Sequence, residues 1–296
     1  MRIVVTGASG LIGQPLLRRL RADGHDVVQL VRRPPRGPGE LQWDPAAGDL
    51  DLTAAGPVDA AINLAGAGVG DHRWTDAYKE TIRTSRVDAT TTLVNALARL
   101  EPKPKVLLSA SGIDYYGERG DERLTETSPP GDTFLAEVCV AWEAAAEPAR
   151  EAGIRVATLR TGLVLAPGGG AFGRLLPLFR AGVGGPMGTG RAWWSWITLE
   201  DHIGAVRFLL DADVDGPVNL TAPQPVRNRE LTRELARTLH RPALVPVPPF
   251  ALRIAVGQFA EVVLGSRRVL PEVLTTAGHT FRHPDIHAGV EWLVRS

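Results

Sequence analysis

Three glycines spaced three residues apart stand near the start of the chain, in Thr6-Gly7-Ala8-Ser9-Gly10-Leu11-Ile12-Gly13. The apolar, β-branched run Arg2-Ile3-Val4-Val5 precedes them, and the amphipathic Pro15-Leu16-Leu17-Arg18-Arg19-Leu20 follows. Glycine does chemistry here by lacking a side chain. One glycine permits a tight turn, one lets backbone N–H groups reach a pyrophosphate, and one lets helix and strand pack closely. The N-terminus of the helix then presents N–H groups and the positive end of its dipole to phosphate. The phosphate-facing set expected from this pattern is Gly7, Ser9, Gly10, Leu11, Ile12 and Gly13. A ligand-free glycine turn is the plainer alternative, and the strand before and helix after weigh against it.

The second candidate group lies at the end of the next strand, Asp26-Val27-Val28-Gln29-Leu30-Val31, where Arg32 and Arg33 stand and no acid does. An acidic residue at this distance from the glycines holds the ribose 2′-OH of NAD, whereas arginine accommodates the 2′-phosphate of NADP. The expected cofactor is therefore NADP(H) in preference to NAD(H). Two loop arginines in water are the alternative. Further strands end in small residues: Val58–Asn63 runs into Leu64-Ala65-Gly66, Val106–Ser109 into Ala110-Ser111-Gly112, and Ile154–Arg160 into Thr161-Gly162-Leu163. Ligands of open α/β sheets bind outside such carboxyl ends, so Leu64, Ala65, Gly66, Ser109, Ala110, Gly162 and Leu163 join the cofactor-facing set. Ser111 is placed to reach a substrate oxygen and help polarise it. It can equally tie down its own turn.

Strands and helices alternate through Val164, which predicts an α/β fold: a doubly wound parallel sheet of Rossmann type. Helices are expected over about 79–100, 134–151 and 199–210, and the stretch from Gly37 to Gly56 reads as loop. After Val164 the character changes, with two glycine-rich loops and three of the seven tryptophans within Trp193-Trp194-Ser195-Trp196. Concentrated aromatics can line a ligand pocket, so Trp194 and Trp196 are candidate substrate contacts together with Tyr116; buried tryptophan is also ordinary core. Residues 1–165 and 198–221 are assigned to the dinucleotide-binding part. Residues 166–197 and 222–296 form a smaller substrate-binding portion, with helices expected near 228–240, 250–264 and 269–277. Lys+Arg and Asp+Glu both number 33, so the formal net charge is zero and nothing points to nucleic acid or a membrane surface. The single Cys139 excludes an intramolecular disulfide and suits a reducing, cytoplasmic setting. No apolar run is long enough to cross a membrane and no signal peptide is evident. His283 and His287 are four apart, but Pro284 lies between them and no third ligand is evident, so no metal is expected.

The glycine motif, Asn63-Leu64-Ala65-Gly66, Tyr116-Gly117 and Arg160-Thr161-Gly162-Leu163-Val164 fall in the order seen in extended short-chain dehydrogenases/reductases. Arg73-Trp74, Ser85-Arg86-Val87, Phe134-Leu135-Ala136-Glu137-Val138-Cys139, Trp142-Glu143, Gly184-Gly185, Trp194-Ser195-Trp196-Ile197 and Arg241-Pro242 narrow this. With them the chain resembles the atypical, epimerase-like subgroup with a small C-terminal helical domain. The resemblance implies a bound nicotinamide cofactor, a small-molecule substrate and, as in much of the superfamily, a homodimer. It also exposes a departure. Most such enzymes carry Tyr-x-x-x-Lys on the helix after the fourth strand, where the lysine lowers the tyrosine pKa for general-base work. The lysines here are Lys79, Lys103 and Lys105, and Thr75, Arg99 and Glu101 stand four residues before them. The pair is absent. Tyr115, Tyr116, Glu137 or Glu143 can take over proton transfer, with Ser111, Tyr115 and Glu137 the leading set. Three activities stay open: an NADP(H)-dependent oxidoreductase acting on a small carbonyl or hydroxyl compound, a nucleotide-sugar epimerase or dehydratase, and a non-catalytic NADP(H)-binding regulator.

Overall fold

A computed structural model describes residues 1–243 and 245–296. Seven strands form one sheet: β1 (Arg2–Val5), β2 (Asp26–Val31), β3 (Glu40–Gln42), β4 (Ala60–Asn63), β5 (Val106–Gly112), β6 (Arg155–Thr161) and β7 (Gly216–Leu220). All neighbours are parallel, in the order β7-β6-β5-β4-β1-β2-β3. The principal helices are α1 (Gly13–Ala22), α2 (Asp76–Leu97), α3 (Phe134–Ala144), α4 (Gly170–Arg180), α5 (Leu199–Asp211), α6 (Asn228–Leu239) and α7 (Ile286–Arg295).

Alternation along β1 explains the two helix layers. Successive side chains of a strand point to opposite faces. Ile3 and Val5 meet Leu16, Leu17 and Leu20 of α1 and Ala205, Val206 and Leu209 of α5. Val4 faces the other way, into a core with Ala89, Leu93 and Leu97 of α2. The strand order reverses direction between β1 and β4, and at such a switch point the crevice outside the carboxyl ends is where ligands bind.

A third core, built from Phe172 and Leu176 of α4, Leu231 and Leu235 of α6, Val290 and Leu293 of α7, and Trp196, fills the later portion. It joins the sheet through the short parallel pair Leu163–Leu165 with Trp196–Thr198. Threonine hydroxyls cap three helices: Thr75 accepts from Tyr78 N, Thr133 from Ala136 N and Thr198 from Asp201 N, each satisfying a first-turn N–H.

Five elements differ from the sequence expectation. Glu40–Gln42 forms an edge strand inside the stretch read as loop, paired to β2 through Gln29, Leu30 and Val31. The helix expected to run from 134 to 151 stops at Ala144 and restarts as Glu147–Glu151, where Pro148 supplies no N–H to continue the ladder. The helix expected over 250–264 divides at Gly257, whose φ of 62° is left-handed. Within the expected 269–277 helix, Val269 belongs instead to a strand, Arg268–Val269, paired with Arg123–Leu124, and the helix is limited to Glu272–Thr276. Helix α7 was not expected; Asp285 caps it by accepting from Ala288 N at 3.0 Å. Among the described residues, no helix is long and apolar enough to cross a membrane.

Candidate cofactor and substrate site

The glycine turn closes the β1 end of the crevice, and its spacing has a steric cause. Gly7 has φ of 64°, and a Cβ on it would lie 2.6 Å from the Leu64 carbonyl carbon. A Cβ on Gly13 would lie 2.8 Å from Ala8 Cα. Gly10 N donates to Gly7 O at 3.0 Å, which makes the turn tight. Ser9, Gly10 and Leu11 are exposed, while Ile12 is half-buried. No side chain caps α1 and no acid stands in its first turn, so its positive end is not neutralised by the protein.

A buried polar chain fixes this turn against its neighbours. Thr6 Oγ1 donates to Asn63 Oδ1 at 2.6 Å and accepts from Leu64 N and Ala65 N at 3.0 and 3.1 Å. Asn63 Nδ2 donates to Thr90 Oγ1 at 2.8 Å, and Trp142 Nε1 donates to the same oxygen at 3.0 Å. Thr90 Oγ1 in turn donates to Arg86 O at 2.8 Å. One network therefore ties β1, β4, α2 and α3 together beneath the crevice, and buried polar groups so satisfied hold a single geometry. Ser109 is at its margin, its Oγ 3.4 Å from Asn63 Nδ2.

Past β5 the site is built on an ion pair. Arg160 of β6 and Glu143 of α3 meet through two hydrogen bonds of 2.8 Å, with side chains 4% and 14% exposed. Burial works against the Arg160 charge, but the Glu143 carboxylate outweighs it and raises the guanidinium pKa. Ser111 donates to Glu143 Oε1 at 2.7 Å. The Arg160 guanidinium lies 3.5 Å over the Tyr115 ring, so Ser111, Glu143, Arg160 and Tyr115 are one cluster. Cys139, on the same helix, is pushed up to about 12 by burial and stays a thiol.

The remaining candidates are placed as follows. Leu64 and Ala65 are half-buried and Gly66 exposed at the end of β4, and Ala110 is half-buried in β5. Gly162 packs under the short strand: a Cβ on it would lie 2.6 Å from Ser195 O, and Leu163 N donates to that same oxygen. Arg33 directs its fork at Glu40, at 2.8 and 2.6 Å, whereas Arg32 is exposed with no carboxylate within 4.0 Å among the described residues. Tyr116 is fully buried, donating to Asn219 Oδ1 and accepting from Arg160, and burial pushes its phenol up to about 12. Trp196 is fully buried in the third core, with Nε1 donating to Gln224 O. Trp194 is half-buried and donates to Val263 O. These contacts give Tyr116 and Trp196 structural work. Glu137 is on the outer face of α3, 61% exposed and 3.5 Å from Arg83. Of the two helix carboxylates considered from the sequence, Glu143 is the one that meets Ser111.

Two groupings were not read from the sequence, although Trp74, Phe134 and Arg86 stand in the motifs quoted above. One is the aromatic wall of Trp74, Phe134 and Phe259, with ring centroids 5.3 and 6.1 Å from Trp74, next to the loop of Gly68 to Gly70. The other is Arg86, whose guanidinium lies 4.9 Å over the Trp142 ring. An arginine inside the apolar strand Val156–Leu159–Arg160 was the one signal that could have announced the Glu143 pair.

Residues 3–221 match the NAD dependent epimerase/dehydratase family, and residues 247–293 match a domain of unknown function, DUF1731. The chain belongs to the NAD dependent epimerase/dehydratase family. An epimerase family protein of Mycobacterium bovis is 42% identical over 286 residues, spanning 96% of this chain and 94% of that one. The crystal structure of human epimerase family protein SDR39U1 with NADPH is 31% identical, with a TM-score of 0.92 over the whole of both chains. A structure described as the nucleoside-diphosphate sugar epimerase from Corynebacterium glutamicum is 37% identical, with a TM-score of 0.81. It matches 98% of this chain and 57% of its own.

Proposed function

We propose that this epimerase-family chain binds NADP(H) across the β1–β4 crevice and transfers hydride to or from a small carbonyl or hydroxyl compound. The observation that carries the cofactor reading is the glycine turn, sterically closed to side chains at Gly7 and Gly13 and backed by the uncapped N-terminus of α1. The human relative solved with NADPH supports the same reading. Arg32 is the residue assigned to the 2′-phosphate, because Arg33 already spends its donors on Glu40.

Hydride passes between the nicotinamide and the substrate carbon, and a proton must move at the substrate oxygen. With its hydroxyl proton on Glu143, Ser111 accepts from a substrate hydroxyl. Tyr115 is assigned the proton: it is half-buried beside Arg160, and its hydroxyl has no hydrogen-bond partner among the described residues. Glu137, held at the surface by Arg83, receives no role. A sugar epimerase must oxidise its substrate transiently and needs a strong base, which the missing Tyr-x-x-x-Lys does not provide. The test is a titration with NADPH and NADH followed by turnover on a panel of small carbonyl compounds, monitored by nicotinamide absorbance. Turnover lost in Tyr115→Phe with NADPH binding intact is the expected result. Tight binding with no turnover on any compound would favour a non-catalytic regulator.

A further inference from the structure

The charge of the chain balances to zero, but that total hides a local segregation. Residues 170–190 and 241–260 hold four arginines, Arg174, Arg180, Arg241 and Arg253, and no Asp, Glu or Lys. The two segments lie against each other. Arg241 Nε donates to Arg180 O at 3.0 Å, Val247 N to Pro186 O at 2.8 Å, and Gly188 N to Val247 O at 2.9 Å. Gly185 packs on the backbone of Val245, where a Cβ would lie 2.8 Å from the carbonyl carbon. Val183 N donates to Leu178 O at 3.0 Å, which continues the surface onto α4.

Large apolar side chains stand out along this face. Val183, Val245, Phe250 and Ile254 are 65%, 73%, 65% and 69% exposed, and Leu178 is 48% exposed. These are five of the eight large hydrophobic residues exposed among the described residues, so the apolar surface is gathered here. Phe250 and Ile254 stand one turn apart on the helix Pro249–Val256, none of whose residues is buried. All four arginines are exposed, with no carboxylate within 4.0 Å among the described residues. The acids that flank 241–260 in sequence are Glu234, paired with Arg237 and His287, and Glu261, in the first turn of the next helix.

We propose that this face docks on the surface of an anionic lipid bilayer. Such a surface offers phosphates to the arginines and acyl chains to the apolar side chains between them. The arginine fork takes two phosphate oxygens at once. The helix Pro249–Val256 is about 12 Å long, far too short to cross the hydrocarbon core, so it lies in the interface plane. A second copy of the chain is a poorer occupant: a two-fold contact joins like patches and would set the four cations against the same four. The helix is tied to the aromatic wall at Trp74 through Arg73, which donates to Ile254 O. The proposal is independent of which cofactor the crevice holds.

The full chain is sedimented with vesicles of phosphatidylcholine alone and with vesicles carrying about 30% phosphatidylserine. It should pellet with the anionic vesicles and much less with the neutral ones, and added salt should release it, because the attraction is screened. Phe250→Ser combined with Ile254→Ser removes two apolar anchors and should weaken binding to anionic vesicles at least about tenfold. Arg180→Gln combined with Arg253→Gln should weaken it by at least about tenfold on anionic vesicles and little on neutral ones. An unchanged thermal transition shows that each variant is folded, and should one pair misfold, the other makes the comparison. No sedimentation of the parent chain with anionic vesicles, or binding that neither pair alters, would overturn the proposal. A concentration-dependent dimer abolished by Phe250→Ser, with no vesicle binding, would overturn it in favour of a second copy.

Discussion

His202 of α5 is fully buried, with Nε2 3.1 Å from Thr161 Oγ1 and Nδ1 without a partner. Burial pushes its pKa down to about 4 from 6.5. The unfolded chain takes up a proton below pH 6.5 that the folded chain refuses until about pH 4, so stability falls as pH drops through that window. The full effect is about 3 kcal/mol. Urea unfolding of the parent and of His202→Gln from about pH 8 to about pH 4 should show the variant losing less; parallel curves would contradict the assignment. The Arg160–Glu143 pair makes a second prediction. Glu143→Gln leaves a guanidinium that is 4% exposed without its counter-charge and should cost about 3 kcal/mol in denaturant unfolding, with Arg160→Met in the same chain recovering part of it. Residue types were legible in the sequence where backbone shape demanded them, as at Gly7 and Gly13. Partnerships were not: Arg33 with Glu40, and Ser111 with Glu143 and Arg160, join residues whose approach is set by tertiary folding.

Helix α1 and the turn before it act as one rigid piece, because Gly13 packs on Ala8 and Gly10 bonds to Gly7. Gly13→Ala must push α1 away from the turn, at a cost of about 1–3 kcal/mol typical of overpacking. It should abolish NADPH binding while the thermal transition stays cooperative. Retained affinity would mean that the phosphate is bound elsewhere. Long elements with clear periodicity, α2 and α5 among them, could be located from sequence because burial imposes the pattern. The three-residue β3 could not: its stability comes from bonding to β2, not from its own residues. The break after Ala144 turns on one missing N–H at Pro148.

At the scale of the whole molecule, two cores share one wall. In the short strand Trp196–Thr198, Trp196 belongs to the core of α4, α6 and α7, and Ile197 to the core of the sheet. Val164 and Leu165 divide in the same way on the paired strand. Leu274, far along the chain, returns to the core of the sheet. The C-terminal portion is therefore proposed to fold with the sheet in a single transition. Trp196→Ala should cost about 3–5 kcal/mol and lower the one transition as a unit; a separate early transition would show that the portions unfold independently. This arrangement leaves a crevice at the switch point of the sheet. Its affinity for nucleotide is measured by titrating the protein and its Arg32→Ala variant with NADPH and NADH, following nicotinamide fluorescence. Both nucleotides should bind, NADPH the tighter, with Arg32→Ala weakening NADPH about tenfold and NADH little. No binding of either nucleotide would contradict the cofactor reading.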